Sequence, residues 1–203
     1  MDRGRGSQVE GRRSDGWTKT EWRAHFKAIR AALTDAEYAT HSTAICERLR
    51  ALPEVQAART VHCYWPLVER REVDTRPFVA ACVAAEQRVV LPVVETLDGA
   101  PRMVHRVYEG EDHLVANRWG LHEPTGPLIQ PADLDVVIVP AFGADRRGHR
   151  IGHGRGFYDA FLADTGALRV CVVYDACFMD RLPNEPHDIV ANVLVTEHQT
   201  VSV

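Results

Sequence analysis

What this chain lacks narrows its reading first. No window approaches the run of about 18 apolar residues that a membrane-spanning helix needs, and the first residues have no apolar core of a secretion signal, so no contact with membrane is expected. No Cys-x-x-Cys occurs, and the five cysteines (Cys46, Cys63, Cys82, Cys171 and Cys177) are odd in number and lie mostly in apolar stretches. That argues against a disulfide framework and for reduced core residues in a cytoplasmic protein. The ten histidines form no His-Glu-x-x-His and no paired Cys/His spacing, which leaves no zinc site to expect. A formal charge of -4 supplies no basic excess, so nucleic acid is not an expected partner and local cations need their own explanation. There are no internal repeats, and the chain reads as a monomer.

What is present suits one α/β domain of 203 residues, large enough to bury a substantial core. Residues 1–16 are polar, glycine-rich and of mixed charge, the composition of a disordered tail, so the domain is placed at residues 17–203. Trp22, Phe26, Ile29 and Leu33 recur at three- and four-residue spacing, which predicts an amphipathic helix over 18–33 with Lys19 and Arg23 on one face. The capping box Thr34-x-x-Glu37 starts a second helix that runs to about Leu52, and Thr75 with Pro77 starts a third. Strands are expected at 60–65, 88–94, 102–107, 134–139, 168–174 and near 190–196, with a further helix at 157–164. Alternating strands and helices of this kind imply a mostly parallel sheet with helices on both faces.

The most informative segment is Gly148-His-Arg150-Ile-Gly152-His153-Gly154-Arg155-Gly156-Phe157-Tyr158-Asp159. It follows the β-branched run Leu134–Val139, the pattern of a strand covered on both faces, and leads into helical spacing at Phe157, Phe161 and Leu162. Glycines at every second position let backbone N–H groups approach an anion, and the interleaved cations suit phosphate. A P-loop is excluded because no Lys-Ser or Lys-Thr follows these glycines. A dinucleotide fingerprint is the closer rival: Gly152-x-Gly154 precedes a helix, and Asp175 stands where a ribose-binding acid belongs. Against it, Gly156 comes too early, and the glycines begin well beyond the strand's end.

The same segment, Arg150-Ile-Gly-His-Gly-Arg-Gly-Phe-Tyr-Asp159, resembles the Arg-Leu-Gly-x-Gly-x-Gly-Tyr-Tyr-Asp signature of the 5-formyltetrahydrofolate cyclo-ligase (5,10-methenyltetrahydrofolate synthetase) family. Lys19-Thr-Glu-Trp-Arg23, Arg71-Glu72-Val-Asp-Thr75, Val89-Val-Leu-Pro92, Trp119-Gly-Leu-His-Glu-Pro124 and Pro186-His187-Asp188 resemble its other elements, in its order. The resemblance implies a ligase that uses ATP and Mg2+ to convert 5-formyltetrahydrofolate into 5,10-methenyltetrahydrofolate. It places ATP against Lys19, Arg23, Arg150, Gly152, His153, Gly154, Arg155, Gly156, Phe157 and Tyr158. It places folate against Leu67, Glu72, Trp119 and Tyr158, and magnesium against Asp159 and Asp188. Arg150, Arg155 and Tyr158 are the residues expected to act on the reacting groups. Three positions depart from the pattern: Phe157 replaces the first Tyr, Asn192 stands where an Asp is common, and Arg155 adds a cation. A nicotinamide-dependent oxidoreductase, or a binding module for folate or nucleotide without turnover, remains the alternative.

Overall fold

The computed structural model describes residues 16–203 apart from Asp98, Arg118 and Trp119, so all of the expected tail but Gly16, and the folate contact assigned to Trp119, lie outside the described residues. The chain enters through α1 (Lys19–Ala31), α2 (Asp35–Ala51) and α3 (Pro53–Ala57) and then forms β1 (Thr60–His62). After α4 (Arg76–Ala84) come the long hairpin β2 (Arg88–Leu97) and β3 (Ala100–Val107), then β4 (Leu114–Ala116), β5 (His122–Pro124) and β6 (Leu128–Ile129). The last part holds β7 (Val136–Pro140), β8 (Gly143–Asp145), β9 (Arg150–Ile151), α5 (Phe157–Ala163), β10 (Leu168–Val172), β11 (Phe178–Met179), β12 (Val193–Val195) and β13 (Thr200–Ser202).

Local chemistry starts both long helices. Thr18 and Thr34 are N-caps whose hydroxyls accept from Glu21 N and Glu37 N, while the two glutamates accept from the cap backbone N–H groups. α1 ends at Ala31, a little short of the expected boundary, because Thr34 already commits the chain to α2; the face it buries is Trp22, Phe26 and Arg30.

Eight strands form the main sheet in the order β13-β12-β10-β7-β1-β2-β3-β6. β12, β10, β7, β1 and β2 run parallel, and β13, β3 and β6 pair antiparallel at the edges. The parallel centre explains the apolar runs: Val61, Val137, Ile138 and Val170 are wholly buried, each contributing about 1.5–3 kcal/mol relative to exposure. Taken alone, the parallel strands follow the doubly wound order 2-1-3-4-5. The chain leaves β1 toward one edge and β7 toward the other, so right-handed crossovers put α4 and α5 on opposite faces. The chain leaves the carboxyl ends of these two neighbouring strands in opposite directions, the place where such sheets form a crevice.

Candidate active site

The glycine segment reaches that crevice by an element the sequence did not announce. Beyond β7 the chain doubles back in the hairpin β8–β9, and the fully buried Asp145 organises its turn. The Asp145 carboxylate accepts from Arg147 N, His149 N and Leu182 N at 2.9–3.1 Å and from the Arg147 guanidinium at 2.7 Å. Gly148 closes the turn at φ +84, where a Cβ would lie 2.6 Å from Ala191 O. Glycine is needed there for both reasons.

Arg150 then turns inward. Its side chain is 6% exposed and donates to Asp159 Oδ1 at 2.7 Å and to the Ile189 carbonyl, tying the start of the segment to α5 and to the 185–189 loop. Arg23 of α1 donates from Nε to Gly152 O at 2.6 Å, and at Gly154, φ +83, a Cβ would come within 2.9 Å of Arg23 Nη2. Gly154 thus admits a guanidinium against the backbone. Gly156, at φ +71, is the N-cap of α5. Arg155 is exposed and, among the described residues, makes no hydrogen bond or ion pair.

The facing wall comes from α1 and the loop after β1. Lys19 Nζ donates to both oxygens of Asp188, at 2.9 and 2.8 Å. The net effect on the Asp188 carboxyl is a lowered pKa: burial raises it, but the bonds from Lys19 and Glu185 N outweigh that. Glu185, His187 and Asp188 hold ligand atoms within 4.8 Å of one another, whereas Asp159 is turned to Arg150. Glu72 has one oxygen fixed by Leu67 N–H at 3.0 Å; the other lies 3.8 Å from Arg30 Nη2 and 3.7 Å from His153 Nε2. Burial raises the Glu72 pKa against the pull of Leu67 N–H and Arg30. His153 rests against the Phe142 ring at 4.7 Å, and burial together with the charges of Arg70, Lys27, Arg30 and Arg23 lowers its pKa to about 4. It is therefore neutral at pH 7.

Tyr158 places its hydroxyl in the buried layer beneath the crevice with no hydrogen-bond partner among the described residues, and burial raises its pKa well above the ordinary phenol value. Its ring stands edge-on to His62 at 6.2 Å, and His62 meets His105 at 5.0 Å. Burial, reinforced for His62 by its neighbour, pushes both imidazoles down, His105 to about 4.

A profile of the 5-formyltetrahydrofolate cyclo-ligase family matches residues 16–197. The chain belongs to that family. Among its relatives, the 5-formyltetrahydrofolate cyclo-ligase of Escherichia coli (strain K12) is 31% identical, covering 82% of this chain and 93% of that protein. The cyclo-ligase of Mycolicibacterium smegmatis is 34% identical over 69% of this chain and 74% of its own. The solved 5,10-methenyltetrahydrofolate synthetase of Aquifex aeolicus superposes with a TM-score of 0.81 at 30% identity, covering 91% of this chain and 92% of that one.

As a cyclo-ligase the chain is a ligase that converts 5-formyltetrahydrofolate into 5,10-methenyltetrahydrofolate at the expense of ATP. The nicotinamide alternative falls with this, and the geometry supplies the reason. The glycines follow the antiparallel β9 rather than the tip of a parallel strand, and Asp175 is spent on structure, accepting from Thr196 Oγ1 and Gln199 Nε2 at 2.9 Å each. No helix among the described residues is long and apolar enough to cross a membrane.

Of the residues expected from sequence, the fold brings Arg23 to Gly152, His153 to Glu72, Lys19 to Asp188 and Arg150 to Asp159. Leu67 is at the Glu72 loop, where its backbone N–H holds the carboxylate. Phe157 opens α5. Two residues of this cyclo-ligase escaped the sequence reading. Asp145 lay in a stretch with no periodicity. Arg30 was legible in principle, since it continues the i, i+4 stripe of Trp22 and Phe26.

Proposed function

We propose that ATP lies along the glycine segment and the first turns of α1, that the pterin end of folate meets Glu72, and that His153 marks where the two meet. The observation that carries this is the 3.7 Å approach of His153, in the middle of the glycine segment, to the Glu72 carboxylate. A pterin offers adjacent N–H and amino donors, and a fixed carboxylate accepts both. Arg155, exposed and unpaired, is the cation ready for the transferred phosphoryl group.

In this reading the γ-phosphorus forms a bond to the formyl oxygen while its bond to the ADP oxygen breaks. N10 then attacks the formyl carbon and loses its proton to solvent, and the C–O bond breaks with phosphate as leaving group. The protein supplies no covalent nucleophile: it aligns the formyl oxygen with the γ-phosphate and stabilises charge on the phosphoryl oxygens. Arg150 acts here by holding Asp159 and the 189 carbonyl, and Tyr158 by bounding the junction from below.

The carboxylate-rich end of the site fits magnesium, which takes one or two carboxylates together with phosphate oxygens and water. Asp188 and Asp159 would hold it once phosphate oxygens engage Lys19; the ion would supply positive charge to the phosphates. The five free, buried cysteines support a cytoplasmic setting, and among the described residues the large exposed hydrophobics Val83, Val115, Leu128 and Val203 lie on four separate segments, which supports a monomer. Purified protein given ATP, magnesium and 5-formyltetrahydrofolate should develop methenyl absorbance. Arg155→Ala should lower turnover about 100-fold or more with folate affinity kept, the scale of losing one preorganised donor. Unchanged turnover would remove Arg155 from the phosphoryl site.

A further inference from the structure

We infer that Arg30 is the positioning residue for Glu72, gripping the 70–72 turn from α1 so that the carboxylate presents its free side to the substrate. The inference rests on Glu72 being the folate acceptor, as proposed above. Arg30 is 4% exposed, on the same helix face as Trp22 and Phe26. A guanidinium that deep needs partners for its donors, and both of its hydrogen bonds go to one turn. Nε donates to Arg71 O at 3.0 Å, Nη2 donates to Arg70 O at 2.7 Å, and Nη2 lies 3.8 Å from Glu72 Oε1. The planar group also stacks on Phe142, with its carbon 4.9 Å from the ring centroid.

Three consecutive residues are thus held by one side chain. The turn needs holding, because Arg71 adopts φ +51, a left-handed conformation that a non-glycine residue adopts only at a cost. The hydrogen bonds to the carbonyls of the 70–71 and 71–72 links, one on each side of Arg71, fix that conformation, and Leu67 N–H pins the other Glu72 oxygen. Lysine, a single point charge, cannot serve two carbonyls, a carboxylate and a ring face together.

Charge gives the inference a signature that a purely structural arginine would lack. Glu72 is faced by Arg30 of α1, Arg70 of its own turn and His153 of the glycine segment, with Tyr64 after β1, Tyr158 of α5 and Tyr38 of α2 close enough to feel its charge. Burial raises the Glu72 pKa, and Arg30 is among the groups that oppose it. Without Arg30 the carboxyl would protonate at higher pH, and folate affinity, which needs the carboxylate, would be lost as pH falls through that higher value.

The test is calorimetric titration of 5-formyltetrahydrofolate and of Mg-ATP into the parent, Arg30→Gln, Arg30→Lys, Glu72→Gln and Arg30→Gln/Glu72→Gln proteins between pH 6 and 9, with circular dichroism to report folding. Arg30→Gln should weaken folate binding at pH 7 and progressively more toward pH 6, with Mg-ATP affinity kept and much of the loss recovered at alkaline pH. The double variant should bind no more weakly than Glu72→Gln. Arg30→Lys, which keeps the charge and loses the fork, should weaken folate binding without moving the pH profile, and it serves if Arg30→Gln does not fold. Folate affinity equal to the parent's in the folded Arg30 variants, or losses additive with Glu72→Gln and shared by Mg-ATP, overturn the role of Arg30 while leaving Glu72 in place. Unchanged folate binding in Glu72→Gln instead removes Glu72 from the site, and this inference with it.

Discussion

Arg150 and Arg155 are five residues apart on one glycine segment, yet their replacement should fail in different ways. Truncating Arg150 to alanine removes the donors to Asp159 Oδ1 and the Ile189 carbonyl from a side chain only 6% exposed. Breaking a buried ion pair by removing one partner costs about 3–5 kcal/mol. Asp159 is 29% exposed and keeps the Ile189 N–H at 3.2 Å, so the lower end applies here. A loss of about 3 kcal/mol in a chain of this size lowers the melting temperature by roughly 6–12 °C. Urea titration and scanning calorimetry read this directly, and methenyl absorbance on the folded fraction reads turnover alongside. Arg150→Ala/Asp159→Asn should be less destabilised than the sum of its single changes, because each single change strands the other partner. Arg155→Ala should leave stability within about 0.5 kcal/mol of the parent, as surface substitutions do, while turnover collapses. The clasp reading is refuted if Arg150→Ala costs under about 1 kcal/mol, or if the double variant is additive within the roughly 0.5 kcal/mol expected of independent sites.

Other changes test other parts of the molecule. Gly143→Ala would set a Cβ 2.2 Å from the wholly buried Phe26 ring, so urea unfolding should show a loss of at least about 1–3 kcal/mol; a neutral result would contradict the packing of α1 on the hairpin. His62 and His105 titrate below the ordinary 6.5 when folded, so the unfolded chain binds more protons and stability falls as pH drops from about 6.5 toward 4. His105→Phe should flatten that part of the stability–pH curve by up to about 3 kcal/mol, and an unchanged slope would mean His105 does not titrate differently on folding. Asp175→Asn should lower the melting temperature by loosening the 196–199 turn while ATP-dependent turnover per folded molecule stays at the parent value; a selective loss of nucleotide affinity would return Asp175 to a ligand role.

The sequence by itself determined much of this protein because the relevant signals are local. Threonine caps with glutamate three residues on start α1 and α2 whatever surrounds them, and β-branched runs such as 136–139 have nowhere to go but a covered strand. The glycine segment carried the family because its chemistry is written contiguously, and the family match bears that reading out. Short strands did not show themselves: β8, β9, β11 and β13 are two or three residues long, below the length at which alternation is visible, and exist through the partners they find.

Tertiary structure alone decided which charges are free. In sequence Lys19, Arg150 and Arg155 are three cations of one kind, and Asp159 and Asp188 are two free carboxylates. Folding pairs Lys19 with Asp188 and buries Arg150 against Asp159, leaving Arg155 in solvent. Pairing depends on which side chains from distant segments arrive within a few ångströms, 169 residues apart for Lys19 and Asp188, and no local pattern encodes that distance. Arg30 is a partial case: the i, i+4 stripe of Trp22 and Phe26 points to its buried face, but not to its partners. On a helical wheel it interrupts an apolar face, and only the turn it meets, with two carbonyls and a carboxylate to receive its donors, makes its burial favourable.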